Sequence, residues 1–317
     1  MTEEKILSKE NLTDDMFEFV HVSSRESEKI ATPEYSYWGS VFKKFFSSKV
    51  AVFMLVVLVI VLSVSFIQPI FSGYDNLDLR YVNDRSKHFL PPSSEHLFGT
   101  DDVGRDVFNM VWAGARTSLT ISFITTFITM TLGIVVGTIW GFNKKLDFYL
   151  MDFYNVISNI PYLLIVMILS YVLGGGTWQL IFALSATSWV GLAYFMRVQV
   201  LIIRDREYNM ASKVLGSSTW KIIKHNILPH LISVIVTSAA ARLPGYVSTE
   251  VFLGFVGVGL DEKIPSLGRT IQAHSQYMQS KSYLFILPVV VIAIITVSLY
   301  IVGQTLADAS DPRNHEV

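Results

Sequence analysis

The chain contains no cysteine. Disulfides, thiolate metal sites and a cysteine nucleophile are therefore excluded. Charge is also scarce, at 16% Asp, Glu, Lys and Arg, against about a quarter in soluble domains. The net charge is −1, which leaves no global basic field for nucleic acid. There is no G-x-x-x-x-G-K-[ST] run, so no Walker-type loop holds ATP here. There is no H-E-x-x-H either, and His225 and His230 stand five apart rather than at the i,i+4 spacing of a helical zinc pair. None of the seven histidines lies in the middle of an apolar run. The constellation that a membrane protease needs in its spans is missing, and no metal ligand set is assigned. The N-terminus does not read as a signal peptide, because Met1–Lys49 is mostly polar and the first apolar run is too late and too long.

Apolar sequence fills the space that charge leaves. It makes up 51% of the residues, and mean hydropathy is +0.44. Six runs approach or exceed the roughly 20 residues that cross a bilayer. They are Val50–Phe71, Thr117–Phe142, Tyr149–Leu173, Trp178–Ile203, Leu228–Leu260 and Leu284–Leu306. The fold class is therefore all-α, a polytopic membrane protein. Residues 1–34 are charged and aperiodic and read as a flexible tail. Over 35–49, Tyr37, Trp38, Val41, Phe42, Phe45 and Phe46 recur at helical spacing beside Lys43, Lys44 and Lys49. That pattern suits an amphipathic helix in the lipid headgroup layer; an ordinary lead-in turn is the alternative. Lysine and arginine placement orients the spans. Lys43, Lys44 and Lys49 precede the first, Lys144 and Lys145 follow the second, and Arg204, Arg206, Lys213, Lys221 and Lys224 follow the fourth. The connection Gly174–Trp178 has no charge. Both termini are expected in the cytoplasm, with loop 72–116 outside, core 117–306, and a cytoplasmic tail at 307–317.

Two features concern packing. Gly133, Gly137 and Gly141 form a doubled GxxxG, a flat face for close approach of another helix. The fifth run is long and holds Pro244-Gly245, where an interruption is expected. Irregular backbone at membrane depth survives only in protein or beside a cavity, so this span is the candidate to line a pathway. Arg242 and Glu250 are the deepest ionisable residues of the run. With Pro244, they either line the route or anchor the structure near the outer interface. Arg197, near the inner end of the fourth span, is placed to snorkel.

The polar stretch Arg206–Pro229 lies between two apolar runs. Tyr208, Ala211, Val214 and Leu215 share one helical face. Gly216 suits the left-handed end of a helix. Ser217 or Ser218 suits the next N-cap. Trp220, Ile223 and Ile227 then form a second apolar stripe. Two short helices joined by an elbow are expected, packed either on their own membrane domain or on a partner. Over His96–Val107, Thr100 or Asp101 is expected to cap a short helix, with Asp102, Arg105 and Asp106 as solvated pairs.

Arg206–Pro229 resembles the "EAA" loop of binding-protein-dependent ABC transporter permeases. Ala211, Gly216, Ile227, Leu228 and Pro229 match its pattern, while Met210 stands for the glutamate and Ser212 for the second alanine. His96–Val107 (HLFGTDDVGRDV), continuing to Gly114–Leu119 (GARTSL), resembles the signature of oligopeptide and dipeptide permeases of the OppC, DppC and AmiD type. Glu250–Gly259, Pro265–Gly268 and Asp308–Arg313 extend the match. The resemblance implies six helices of the type I importer kind, with loop 204–227 as the coupling element. Glu207, Tyr208, Met210, Ala211, Ser212, Val214, Leu215 and Gly216 would then dock in an ATPase cleft. It also implies import of oligopeptides or dipeptides into a bacterium, with nickel or glutathione as cargo of related permeases. The implied partners are a paralogous permease, two ATPases that hold ATP and Mg, and an extracellular peptide-binding lipoprotein or periplasmic binding protein. This chain would be no enzyme and would bind no cofactor itself. A secondary transporter, the rival class, needs inverted repeats and midplane ion ligands, and neither is evident.

Overall fold

The computed structural model describes residues 36–75, 77–78 and 80–311. The chain divides into Met1–Tyr37 and Trp38–Val317, and the architecture below is that of the second unit. The tail expected over 1–34 and most of the one over 307–317 lie outside the described residues. The helices are α1 (Tyr37–Ser47), α2 (Lys49–Ser72), α3 (Val107–Phe142), α4 (Lys144–Ser158), α5 (Tyr162–Leu173), α6 (Thr177–Arg204), α7 (Glu207–Val214), α8 (Thr219–Ile222), α9 (Ile232–Val256), α10 (Leu267–His274) and α11 (Tyr283–Ala309). Trp38, Phe42 and Phe46 of α1 are exposed, while Val41 and Phe45 are buried.

Among the described residues four helices, α2, α3, α6 and α11, are long and apolar enough to cross a membrane alone. Two bent pairs bring the number of spans to as many as six. One pair corrects the continuous span expected over Tyr149–Leu173. There α4 and α5 meet at 81°, with Pro161 as the N-cap of α5. Proline has no N–H and forces the preceding residue out of helical geometry. The other pair corrects the interruption expected at Pro244-Gly245. Helix α9 runs through Pro244 unbroken, and the 64° bend lies before Ile232. Proline at 244 leaves the Ala240 carbonyl without its helical donor. Gly303 of α11 packs directly on Ala240, so close that a Cβ there would stand 3.2 Å from that oxygen. The fifth span also ends at Val256 rather than Leu260, because Gly257 takes φ +83°.

Helix α3 begins ten residues before Thr117, so part of the expected outer loop is helical. Its 36 residues span about 54 Å, well beyond a 30 Å hydrocarbon core. The extension is capped by Asp106, whose carboxylate accepts from Asn109 N at 2.9 Å. This corrects the cap expected at Thr100 or Asp101. It also corrects the solvated pairs. Asp101 is fully buried, and its oxygens accept from Arg105 Nε at 2.7 Å and Arg105 N at 2.8 Å.

The glycine face of α3 packs against α6, as expected from the doubled GxxxG. Built on Gly133, a Cβ would lie 2.6 Å from Leu192; on Gly141, 2.7 Å from Val200; on Gly137 it would run into Ala193 O. A core of Leu119, Val247, Leu267, Leu284 and Ile295 joins α3, α9, α10 and α11. A second, with Ile121, Val166, Leu184 and Leu253, joins α3, α5, α6 and α9.

Candidate functional site

The stretch after α6 folds as two short helices around an elbow. Gly216 has φ +83°. Its N–H donates to Lys213 O at 3.1 Å, and that of Ser217 to Ser212 O at 3.0 Å. This paired return closes α7 and needs the left-handed residue at 216. Ser218 caps α8, accepting from Lys221 N at 3.4 Å, as one of the two expected serines.

A polar clamp fastens the elbow to the bundle. Asn209 is buried and donates to Ile203 O at 2.9 Å. Asn226 donates to Asn209 Oδ1 at 3.0 Å and to Ser212 Oγ at 3.4 Å. Beneath it, Ile222 and Ile227 pack with Met196, Val200 and Leu231. Trp220, expected in that stripe, is instead exposed, and Ile222 takes the buried place. The spacing i, i+3 pointed to Trp220 only for an unbroken helix; the π turn Ile223–Ile227 shifts the register.

The opposite face is bare. Val214 is 88% exposed and Leu215 85%. Met210 is exposed, as are Glu207 and Ala211. Tyr208 stacks on the His230 ring at 5.7 Å. Rigid backbone below and uncovered apolar side chains above are the geometry of a docking surface. Beside it is a cavity of about 1130 Å³ whose wall includes Lys144, Lys145, Lys213 and Trp220.

The pathway candidates separate. Arg242 lines a cavity of about 550 Å³ beside the α4–α5 bend. Pro244 is buried within α9. Glu250 is fully buried and absent from that cavity wall; the hydroxyls of Ser118 and Ser266 face it. Three hydroxyls tie the cavity's rear wall together. Tyr246 donates to Thr129 at 3.2 Å, and Thr129 and Ser188 share a bond at 2.9 Å.

Two charged arrangements escaped sequence reasoning. Arg197 does not snorkel. It forms a two-point bond with Asp147 of α4, at 2.5 and 2.9 Å, and its guanidinium lies 5.5 Å over the Trp140 ring. Fifty residues separate the partners, and no local spacing signals the pair. At the other end of the bundle, His274 of α10 is buried and donates from Nδ1 to Thr270 O at 2.8 Å. Asp101, Asp102 and Arg105 surround it. Tyr277 reaches Asp102 at 3.2 Å, and Tyr283 donates to Leu90 O at 3.0 Å. The signature stretch thus serves as a clasp between the approach to α3 and the α10–α11 segment.

Comparison with known proteins bears directly on this arrangement. Residues 129–316 match the family model described as binding-protein-dependent transport system inner membrane component. Residues 36–92 match the N-terminal TM domain of oligopeptide transport permease C. The chain is 50% identical to the oligopeptide transport system permease protein AmiD of Streptococcus pneumoniae, over 94% of this chain and 97% of that one. It is 30% identical to the oligopeptide transport system permease protein OppC of Bacillus subtilis, over 96% and 99%. It is 31% identical to the dipeptide transport system permease protein DppC of the same organism, over 95% and 93%. An elbow loop between apolar helices, the signature clasp and near end-to-end similarity agree: the chain belongs to the binding-protein-dependent transport system inner membrane components, among the oligopeptide and dipeptide permeases.

Proposed function

We propose that this chain is one permease subunit of an ATP-driven importer that carries oligopeptides or dipeptides across a bacterial plasma membrane. A paralogous permease supplies the facing half of the route. Two ATPase subunits bind ATP and Mg, and their closure drives the transport cycle through α7. An extracellular peptide-binding lipoprotein, or a periplasmic binding protein, delivers cargo to the end of the bundle that carries the signature clasp. The end that carries α7 faces the cytoplasm, with both termini, in keeping with the lysine and arginine asymmetry of the short connections.

One observation carries the reading: α7 is clamped on one face by Asn209 and Asn226 and bare on the other at Val214 and Leu215. A side chain of this size gains about 1.5–3 kcal/mol when buried. The pair therefore supplies enough for a specific contact and is left uncovered among the described residues. Peptide, rather than nickel or glutathione, is supported by the similarity to three peptide permeases.

The test is ATPase capture by the reconstituted permease pair. Val214→Asp with Leu215→Asp should weaken capture on the order of a hundredfold. Ala211→Trp should do so by bulk. Both variants leave the buried clamp intact, so the permease pair should still assemble. Wild-type capture and wild-type stimulation of ATP hydrolysis in both variants would remove α7 as the coupling element.

A further inference from the structure

Two cavities meet at one residue. The first, about 550 Å³, has Tyr154, Tyr162, Tyr246 and Thr187 on its wall. The second, about 500 Å³, is bounded by Phe195, Ser233, Thr237 and Asp311. Arg242 lines both and is the residue their walls share. No carboxylate lines the first cavity. Among the described residues Arg242 has no ion-pair partner, whereas Arg197 and Arg204 each hold an aspartate. It stands ten residues into α9, about 15 Å from the helix start. A cation at that depth is costly and marks a route or a partner.

The walls around it are suited to an extended chain of any sequence. The hydroxyls of Tyr162 and Tyr246 are already committed, to Leu184 O at 3.0 Å and to Thr129 at 3.2 Å. Neither hydroxyl is a free donor to the cavity. Thr187 Oγ1 is itself buried, without a hydrogen-bond partner among the described residues, and so adds no exposed donor to the wall. Unmodified peptides differ in their side chains but share one anion, the C-terminal carboxylate. A single guanidinium in an otherwise uncharged wall can read that end and ignore the rest, because its fork matches a carboxylate at two points.

We propose that Arg242 is a carboxylate-binding residue of the translocation route, engaging the C-terminus of a peptide as it passes between the two cavities. The proposal rests on the peptide-import reading above.

The test uses the whole transporter in proteoliposomes with its binding protein and internal ATP. Peptides of one sequence without Asp or Glu are compared, with a free or an amidated C-terminus. They are selected so that the binding protein holds both equally well. Arg242→Gln should lower initial uptake of the free acid about tenfold and of the amide less than about twofold, the difference expected from one lost charge-assisted contact. Arg242→Lys keeps the charge but loses the fork, and should show a smaller acid-selective deficit. That variant decides the matter if Arg242→Gln assembles poorly. An amidated peptide with one internal Glu should behave like the plain amide; sensitivity to Arg242→Gln would overturn the assignment to the chain end. Equal losses for acid and amide would overturn the proposal by assigning Arg242 to a contact inside the assembly, Asp311 included. Unchanged uptake of both would overturn it as well. A wild-type transporter that imports neither peptide refutes the import reading instead.

Discussion

Replacing Gly137 by alanine tests the α3–α6 seam with the smallest possible perturbation. The added Cβ would lie 2.7 Å from Met196 Cβ and 2.9 Å from Ala193 Cα, and closer still to Ala193 O. Ordinary contact begins near 3.4 Å, so the seam must open by up to about 1 Å. Two of the obstructing atoms are backbone and cannot rotate away. A gap of that size forfeits a quarter to a half of each dispersion contact. The loss extends to Gly133 against Leu192 and Gly141 against Val200. Overpacking of this kind costs about 1–3 kcal/mol. Helix propensity acts in the opposite direction, favouring alanine over glycine by about 1 kcal/mol. Gly245→Ala provides the control, since a Cβ at Gly245 meets nothing within 4 Å. It carries the same propensity gain without the collision, and the difference between the variants isolates the seam. The assay is the yield of assembled transporter by size exclusion, with its thermal midpoint. Gly137→Ala should fall several degrees below Gly245→Ala, at about 2–4 °C per kcal/mol, and Gly137→Leu should not assemble. If Gly137→Ala and Gly245→Ala melt together, or if Gly137→Leu assembles normally with altered peptide preference, the seam is not a packing contact.

Orientation is checked by thiol labelling in a chain that lacks native cysteine. Cysteines at Ser86 and Lys281, both exposed, should react with an impermeant reagent from outside, and one at Ser218 should not; the reversed pattern would overturn the topology. The clasp at α10 should respond to pH. Burial holds the His274 imidazole below the ordinary histidine value, opposed by Asp101 and Asp102 and aided by Arg105. The folded state therefore prefers neutral His274, and its contribution to stability is full above about pH 6.5 and lost as pH falls through the depressed value. The thermal midpoint of the wild type should drop more steeply between about pH 7 and 5 than that of His274→Gln, and parallel profiles would show that His274 does not contribute.

Local chemistry made the elbow legible. Glycine at 216 and a serine two residues on work through their immediate backbone, the glycine face on α3 through its own lack of side chains, and each was found where the sequence placed it. Proline shows where that reasoning ends. Pro161 breaks a span, whereas Pro69, Pro244 and Pro288 lie inside continuous helices. At Pro244 the continuous helix packs on α11, with Gly303 directly against Ala240, sixty residues away in sequence. No window around Pro244 contains it. The same holds for Asp147 with Arg197, fifty residues apart. Asp101 and Arg105 are only four apart, and what spacing could not show there is the burial of the carboxylate. Sequence alone identified Arg197 as a charge and could not identify what neutralises it. Arg242 stood out for the opposite reason: a cation in an apolar run is anomalous whatever surrounds it.

For the proposed coupling role, a push on α7 has to reach the proposed route without being absorbed on the way. Asn209 bonds to Ile203 at the end of α6, and Asn226 bonds to Asn209. Ile222 and Ile227 are packed with Leu231, at the bend into α9. The elbow therefore grips α6 and α9 together, and no flexible linker intervenes. Helix α6 is in turn closely packed on α3 along the glycine seam. Helix α9 is held differently. Its 64° bend provides an angle that can change, and Arg242 lies beyond it. The α4–α5 wall opposite has its own bend of 81° at Pro161. A displacement of α7 thus meets a closely packed pair on one side and two hinged walls on the other. The cavity between those walls, with Arg242 at its border, is the part of the bundle best placed to change shape.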